Sequence, residues 1–320
     1  MLHKPNNLST GGNKFVGERA ASEISRGILG AMTGPTPVRI DDPADPRLDD
    51  VRDLNHSDSR PDLPGGKGLV IAEGPLVCER LLESRFPARC LVGFPDRLAG
   101  FLTDHPDLPE DLPVYEVTRE TLREVAGFDM HRGLLAAADR APEPGLEETL
   151  AGARTVVVLE GVGDHENIGA IFRNAAGMGV DAVIFGNGCA DPLYRRSVRV
   201  SMGHVLRTSF VHLGGTHTTW QRRLEELRAA GFRLVSLTPD PGAVVLPEAL
   251  ADAAGDAYER VALLVGAEGP GLTEHAMRAT DVRARIPMAP GTDSLNVATS
   301  AAVAFYERDR SLGFPGVRRS

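Results

Sequence analysis

The sequence predicts an α/β protein in two layered parts, the second built on a mostly parallel sheet. Three observations predict it. Short aliphatic or β-branched runs alternate with segments of helical spacing from about residue 69 to residue 310. Glycine-containing loops follow three of those runs in the second half, after Leu159, Val265 and Ile286. A Pro/Gly stretch, APEPGLEETLAGA at 141–153, separates the two sets and reads as a linker.

Residues 1–45 lack sustained periodicity and are rich in polar, Gly and Pro residues, so a flexible extension is expected there. Met32 is an alternative translation start. A first domain is placed at 46–140, entered through an Asp-rich and then Pro/Gly-rich stretch ending near residue 66. Its strands are read at 69–72, 89–92, 114–117 and 134–138. The helices between them are read at 74–83, with Leu76, Val77, Leu81 and Leu82 inward, at 96–103, and from Thr118, a cap, to Val125. The second domain is placed at 154–320. Its strands are expected at 155–159, 182–185, 205–212, 232–237, 261–265 and 282–286, with helices at 168–176, 192–202, 218–230, 272–278 and 295–310.

The stretch TVVVLEGVGDHENIGAIFRNAAGMG at 155–179 organises the second domain. A buried strand runs into a loop broken by Gly161, Gly163 and Asp164, and Asn167 stands where a helix N-cap is expected. Ile168, Ile171, Phe172, Ala175 and Ala176 then form one helical stripe. Arg173 lies off it. Long helical side chains lean towards the N-terminus, so Arg173 is expected to reach back over Gly169 towards the loop and the Asn167 amide. Such a strand–loop–helix opening is where α/β sheets take ligands.

Two later stretches repeat this arrangement. VALLVGAEGPG at 261–271 is a strand followed by three glycines and Glu268, and RARIPMAPGTDSLNVATSAA at 283–302 is a strand, a Pro/Gly loop and Ser294-Leu295-Asn296 opening a helix. In this order, Asn-x-Gly-x-x-x-Arg, Gly-x-Glu-x-x-Gly and Ser-Leu-Asn-Val resemble the three motifs of the SpoU family, RNA 2′-O-ribose methyltransferases of the SPOUT superfamily. The resemblance covers about 154–310 and implies S-adenosylmethionine as cofactor. It implies a SPOUT-type domain with a trefoil knot, dimerisation through the C-terminal domain and an active site near the dimer interface. It also implies that the first domain is a substrate-binding fold like that of small ribosomal proteins.

Carried over residue by residue, the resemblance makes Arg173, Asn167, Ser294, Asn296 and Glu268 the catalytic set. The cofactor set is Gly266, Ile286 and Leu295 with Ala267, Gly269 and Met288 nearby, and Thr238 as a further wall. Arginine is a poor base, with a pKa above roughly 12. Holding a phosphate and stabilising a developing alkoxide is the conservative role for Arg173. The two-part layout points to ribosomal RNA by analogy with the family, with transfer RNA the alternative target.

Composition bounds the rest. With 35 Lys and Arg against 44 Asp and Glu the net charge is −9, which argues against a general nucleic-acid binder. Yet no acid occurs between Asp191 and Glu225, while 41–62 holds eight aspartates. Arg195, Arg196 and Arg199 in that acid-free interval are the candidate RNA-phosphate contacts, with Arg132 of the first domain. The three cysteines are too widely spaced for a metal or disulfide pattern, so no metal is expected and a reducing cytoplasm is. No signal peptide or membrane span is apparent. A nicotinamide-dependent oxidoreductase is the rival enzyme, but Gly161-Val162-Gly163 lacks the third glycine of the dinucleotide fingerprint. The non-enzyme rival is a catalytically inactive RNA-binding member of the fold.

Overall fold

The computed structural model describes residues 34–55, 62 and 67–314. The first sheet contains β1 (Val38–Arg39), β2 (Val70–Glu73), β3 (Ala88–Gly93), β4 (Val114–Glu116) and β5 (Leu134–Ala138), in the order β1-β4-β3-β5-β2. β5 runs antiparallel to both of its neighbours, and the other pairings are parallel. Helices α1 (Pro75–Leu82), α2 (Pro95–Asp104) and α3 (Arg119–Ala126) connect the strands. The Thr118 side chain caps α3 by accepting from Thr121 N, as its sequence predicts. Leu76 departs from expectation: it is 40% exposed, and Val77, Cys78 and Leu81 turn inward instead. Those three sit at i, i+1 and i+4, a stripe that leaves Leu76 about 150° off its centre.

Residues 38–40 also differ from the flexible reading of 1–45. Val38 and Arg39 pair with β4, and Ile40 is buried while donating its N–H to Glu116 O. A two-residue edge strand is too short to show alternation. Residues 1–33, including Met32, lie outside the described residues. Within 141–153, Leu146–Leu150 forms the short helix α4, with Thr149 and Leu150 buried.

The second sheet is parallel throughout: β6 (Thr155–Glu160), β7 (Ala182–Phe185), β8 (Ser209–His212), β9 (Arg233–Leu237), β10 (Val244–Val245), β11 (Val261–Gly266) and β12 (Val282–Arg285), in the order β10-β12-β9-β11-β6-β7-β8. The chain builds outward from β6 through β7 to β8, then crosses to the other side and inserts β11 between β9 and β6. That reversal gathers the carboxyl ends of β6, β11, β9 and β12 along one edge.

The helices are α5 (His165–Gly177), α6 (Arg195–Val200), α7 (Leu224–Ala229), α8 (Leu246–Ala249), α9 (Glu274–Arg278) and α10 (Val297–Ser311). Several ends move relative to expectation. Asp164, not Asn167, caps α5: its carboxylate accepts from Glu166 N at 2.6 Å. Ala176, expected on the stripe, is exposed. The predicted strand 205–212 is a 3-10 turn, His204–Leu206, followed by β8, and the predicted helix 218–230 opens with the 3-10 turn Trp220–Arg223. Ser294 and Leu295 precede α10, whose N-cap is Asn296.

One apolar core joins the two sheets, with Val77, Leu81, Phe86 and Leu134 from the first and Val157, Phe172, Phe185 and Phe210 from the second. Burial raises the pKa of all three thiols, Cys78 and Cys90 in the first half and Cys189 in the second. Among the described residues no helix is long and apolar enough to cross a membrane, and no cluster of His, Cys, Asp or Glu is suited to a metal.

Arg308 fastens α10 to the strand starts. It is 1% exposed and donates to Tyr258 O at 2.6 Å, Glu259 O at 2.8 Å, Thr155 Oγ1 at 3.2 Å and Arg154 O at 3.4 Å. Burial lowers its pKa to about 10, so it remains charged at neutral pH. Replacing it with methionine keeps the bulk but leaves these acceptors unpaired. Arg308→Met is expected to lower stability by about 3 kcal/mol, read as a shift in the urea midpoint at constant m-value.

Candidate functional site

The site is rooted on Glu160, the last residue of β6. Its carboxylate is buried and accepts from Trp220 Nε1 (2.9 Å), Gln221 Nε2 (3.3 Å), Thr273 N (2.7 Å) and Thr273 Oγ1 (2.9 Å). Thr273 is also the cap of α9, so one acid fixes the loop after β11 against the end of β6. Sequence reasoning missed this residue. Its only signal was an acid ending an otherwise apolar strand.

Above that root the three motif loops meet through side chains. Asn167 Nδ2 donates to Glu268 Oε1 at 2.9 Å, Asn296 Nδ2 donates to the same oxygen at 2.7 Å, and Asn296 Nδ2 also donates to Asn167 Oδ1 at 2.9 Å. Asn296 Oδ1 accepts from Ala298 N and Thr299 N, which fixes its amide orientation and starts α10. Asn167 is thus a buried first-turn residue that binds another loop, not the cap of its own helix.

Beside this cluster lies a cavity of about 300 Å³. All seven residues of the predicted cofactor set line it: Thr238, Gly266, Ala267, Gly269, Ile286, Met288 and Leu295, with Glu268, Ser294 and Asn296 at the same wall. Gly266 shows why the backbone comes so close here. A Cβ on it would lie 2.2 Å from Gly271 C and from Leu272 N, so only glycine lets the loop fold back over the strand end. Aliphatic walls from Leu237, Ile286 and Leu295 with exposed loop backbone suit a flat purine and its ribose.

Arg173 is not part of that wall. It is exposed, and no hydrogen bond or ion pair joins it to another described residue. The expected route back over Gly169 is closed, because a Cβ at Gly169 would meet Ser197 O and Val200 Cβ at 2.8 Å. Gly169 is the point where α6 rests on α5. Arg173 lies one turn further along α5, the helix on which the 3-10 turn after α6 packs.

Of the predicted RNA contacts, Arg195 is taken up inside the protein, while Arg196 and Arg132 remain exposed and Arg199 half-buried. The Arg195 side chain is 12% exposed, bonds Glu73 Oε1 at 2.5 Å and lies over the Phe128 ring. Arg199 stands 3.8 Å from the other Glu73 oxygen, Arg196 stands 3.8 Å from Glu166, and Arg132 Nη1 reaches Glu73 O at 3.4 Å. Arg207 pairs with Glu83 and Arg223 with Glu226. The interval is acid-free in sequence but not in space: α6 packs on β2, and the first domain supplies Glu73 and Glu83.

Residues 154–306 match the SpoU rRNA Methylase family. Over 275 residues, 84% of this chain and 91% of the relative, the sequence is 58% identical to an uncharacterized tRNA/rRNA methyltransferase of Mycobacterium tuberculosis. The chain belongs to the SpoU rRNA methylase family. A further relative is the 23S rRNA (guanosine-2′-O-)-methyltransferase RlmB of Acinetobacter baylyi, 31% identical over 208 residues, 63% of this chain and 80% of that one. The fold is also that of an AdoMet-bound rRNA methyltransferase from Sinorhizobium meliloti, with a TM-score of 0.67 at 24% identity over 86% of this chain and 98% of that one. This SpoU protein is therefore an RNA methyltransferase whose methyl donor is S-adenosylmethionine.

Two outcomes follow from the geometry. Gly266→Ala is expected to weaken S-adenosylmethionine binding at least about tenfold by calorimetry, with the far-ultraviolet dichroism kept, because the added methyl displaces backbone rather than a side-chain end. Arg195→Ala is expected to cost about 3 kcal/mol of stability by leaving buried Glu73 with only the more distant Arg199 as partner, while the salt dependence of RNA binding stays unchanged.

Proposed function

We propose that this protein methylates a ribose 2′-OH of ribosomal RNA, with transfer RNA as the second possible target, and acts in the cytoplasm. The observation that carries the reading is the Asn167–Glu268–Asn296 cluster, which ties all three motif loops together at the mouth of the cavity. The RlmB relative, named for 2′-O-methylation of guanosine in 23S rRNA, supports ribosomal RNA.

Bound S-adenosylmethionine supplies an electrophilic methyl group. The protein must hold the ribose against it and lower the cost of the alkoxide that forms as the hydroxyl proton leaves. In this reading Gly266, Ala267, Gly269, Leu295, Ile286, Met288 and Thr238 enclose the cofactor, and Ser294 and Asn296 present polar groups to the ribose. Glu268 keeps the two asparagines in register. Arg173 holds the neighbouring phosphodiester: its exposure and its lack of a partner among the described residues fit an anion contact.

We further propose a homodimer through the C-terminal domain. Val303 and Tyr306 of α10, 38% and 54% exposed, form an apolar outward face in support of it. A knotted crossing in the same domain is supported by the path after β12. That strand pairs with β9, two places from β6, yet Asn296 reaches Asn167 on the helix after β6, so the chain passes over the ends of β9 and β11.

Methyl transfer from labelled S-adenosylmethionine to unmodified ribosomal RNA, with the product nucleotide mapped as 2′-O-methylated, tests the reading. A base-methylated product, or labelled transfer RNA alone, would overturn the assignment. Arg173→Ala is expected to lose at least about a hundredfold in kcat/KM with cofactor affinity unchanged, because Arg173 does not line the cavity.

A further inference from the structure

Most arginines of the acid-free interval have a carboxylate partner, so the positive groups that have none stand out. They gather at the seam between the two sheets. Arg80 of α1 donates through Nη1 to Met202 O at 2.6 Å, while its Nε is buried without a partner. Its stem lies close enough to Gly203 that an added Cβ there would sit 3.2 Å from Arg80 Cδ. Met202 and Gly203 both have positive φ, 55° and 81°, in the tight turn that sets His204 at the start of the 3-10 turn. A left-handed methionine is a strained arrangement, held here by the Arg80 bond. On the other side the 3-10 turn packs on α5, where Arg173 is exposed and unpaired.

His204 records this crowding. Its pKa is held below the ordinary histidine value by burial first, then by the charges of Arg80 and Arg173. The acids on the surrounding elements are engaged elsewhere. Glu83 pairs with Arg207, Glu73 with Arg195 and Arg199, and Glu79 stands 4.0 Å from His105. The 3-10 turn that begins at His204 therefore packs between α1, whose Arg80 is held at the Met202 carbonyl, and α5, which carries Arg173, and neither arginine has a carboxylate partner among the described residues. Such a group is completed by an anion.

We infer that Arg80 and His204 form, beside Arg173, a phosphate-binding subsite at the seam between the two sheets, and that it takes the RNA phosphodiester next along the strand from the one Arg173 holds. This rests on the RNA-methylation reading for the identity of the anion, and on the geometry alone for its charge. The first domain then contributes to substrate grip through α1, rather than through the arginines of α6. An anion here favours the protonated imidazole. His204 should therefore titrate at higher pH when the subsite is filled, and anion binding should strengthen as pH falls through that range.

The test uses the full chain and two probes. Sulfate, whose charge does not change near neutral pH, is titrated while histidine Hε1 resonances are followed by NMR, with His204 assigned from His204→Gln. A rise in the His204 pKa that saturates with sulfate is expected, and it should disappear in Arg80→Met. An unmoved His204 pKa at saturating salt-matched sulfate overturns the subsite. In the second arm, binding of a short oligouridylate is measured against salt. His204→Gln and Arg80→Met should each weaken binding about tenfold, and Arg80→Met should flatten the salt slope by about 0.7. Arg80→Lys should restore most of the slope, because it keeps the charge. Because Arg80 also holds the Met202 turn, S-adenosylmethionine affinity is measured in every variant; equal loss of cofactor and RNA binding would assign Arg80 a structural role and overturn its place in the subsite. A wild-type protein that binds sulfate at His204 but does not methylate ribosomal RNA sinks the functional reading alone. One that methylates but shows no sulfate response sinks the subsite alone.

Discussion

The parallel pairing of β6 with β11 is the constraint on which the site depends. Its register runs without a break from Thr155 opposite Val261 to Glu160 opposite Gly266. Both strands are apolar and buried over nearly their whole length, so a slip of one residue would have to reverse every side chain in the middle of the sheet. Fixing that register places the one buried acid of β6 beside the one glycine that can bear the turn after β11. Glu160 then secures Thr273, and the loop between them is short enough to hold Glu268 over the sheet edge. Asn167 in the first turn of α5 and Asn296 at the N-cap of α10 converge on Glu268 from either side. Of the three polar groups only Asn167 is buried, and the exposed Glu268 carboxylate gives its amide a partner there while also holding Asn296.

Much of this was legible in the chain. Strand runs such as Ala182–Phe185 and Leu134–Ala138 are found where their composition puts them, because a strand buried on both faces writes itself as an unbroken apolar run. The cavity wall was legible through motif spacing, since glycines and a following acid after a strand leave few backbone paths. Helix starts were less legible. Asp164 and Asn167 are both capping residue types, and only the Glu268 contact, a hundred residues away, takes Asn167 out of the competition. Glu160 was invisible for the same reason: what makes it important is a set of donors from three other segments.

Charge was the least legible property. A run without acids reads as a basic surface only if nothing packs on it. Here α6 is buried against β2, and the 7% exposure of the Glu73 side chain shows how completely the first domain covers it. Arg195 and Glu73 form a desolvated pair whose removal would cost more than its presence gains. Such a pair fixes how the two sheets sit together, and a continuous apolar core beneath it does the same work. The first sheet of this SpoU protein is therefore held against the second by an ion pair and a shared apolar core.

That rigidity bears on how an acidic protein can grip a polyanion. Long-range attraction is weak at a net charge of −9, and screening confines any favourable field to within about 10 Å at ordinary salt. Binding must then come from a few fixed cations close to the phosphate, where pre-placed donors lose little entropy on contact. Arg195 of α6 is fixed but spent on Glu73, and Arg196 and Arg199 each stand within 4 Å of a carboxylate. At the seam, where α1, α5 and the turn at Met202–His204 meet, Arg80 is positioned by a carbonyl and has no carboxylate partner among the described residues. A seam held by ion pairs and apolar packing keeps it positioned without RNA, so the same contacts that removed Arg195 from the RNA surface are what make a neighbouring phosphate site effective.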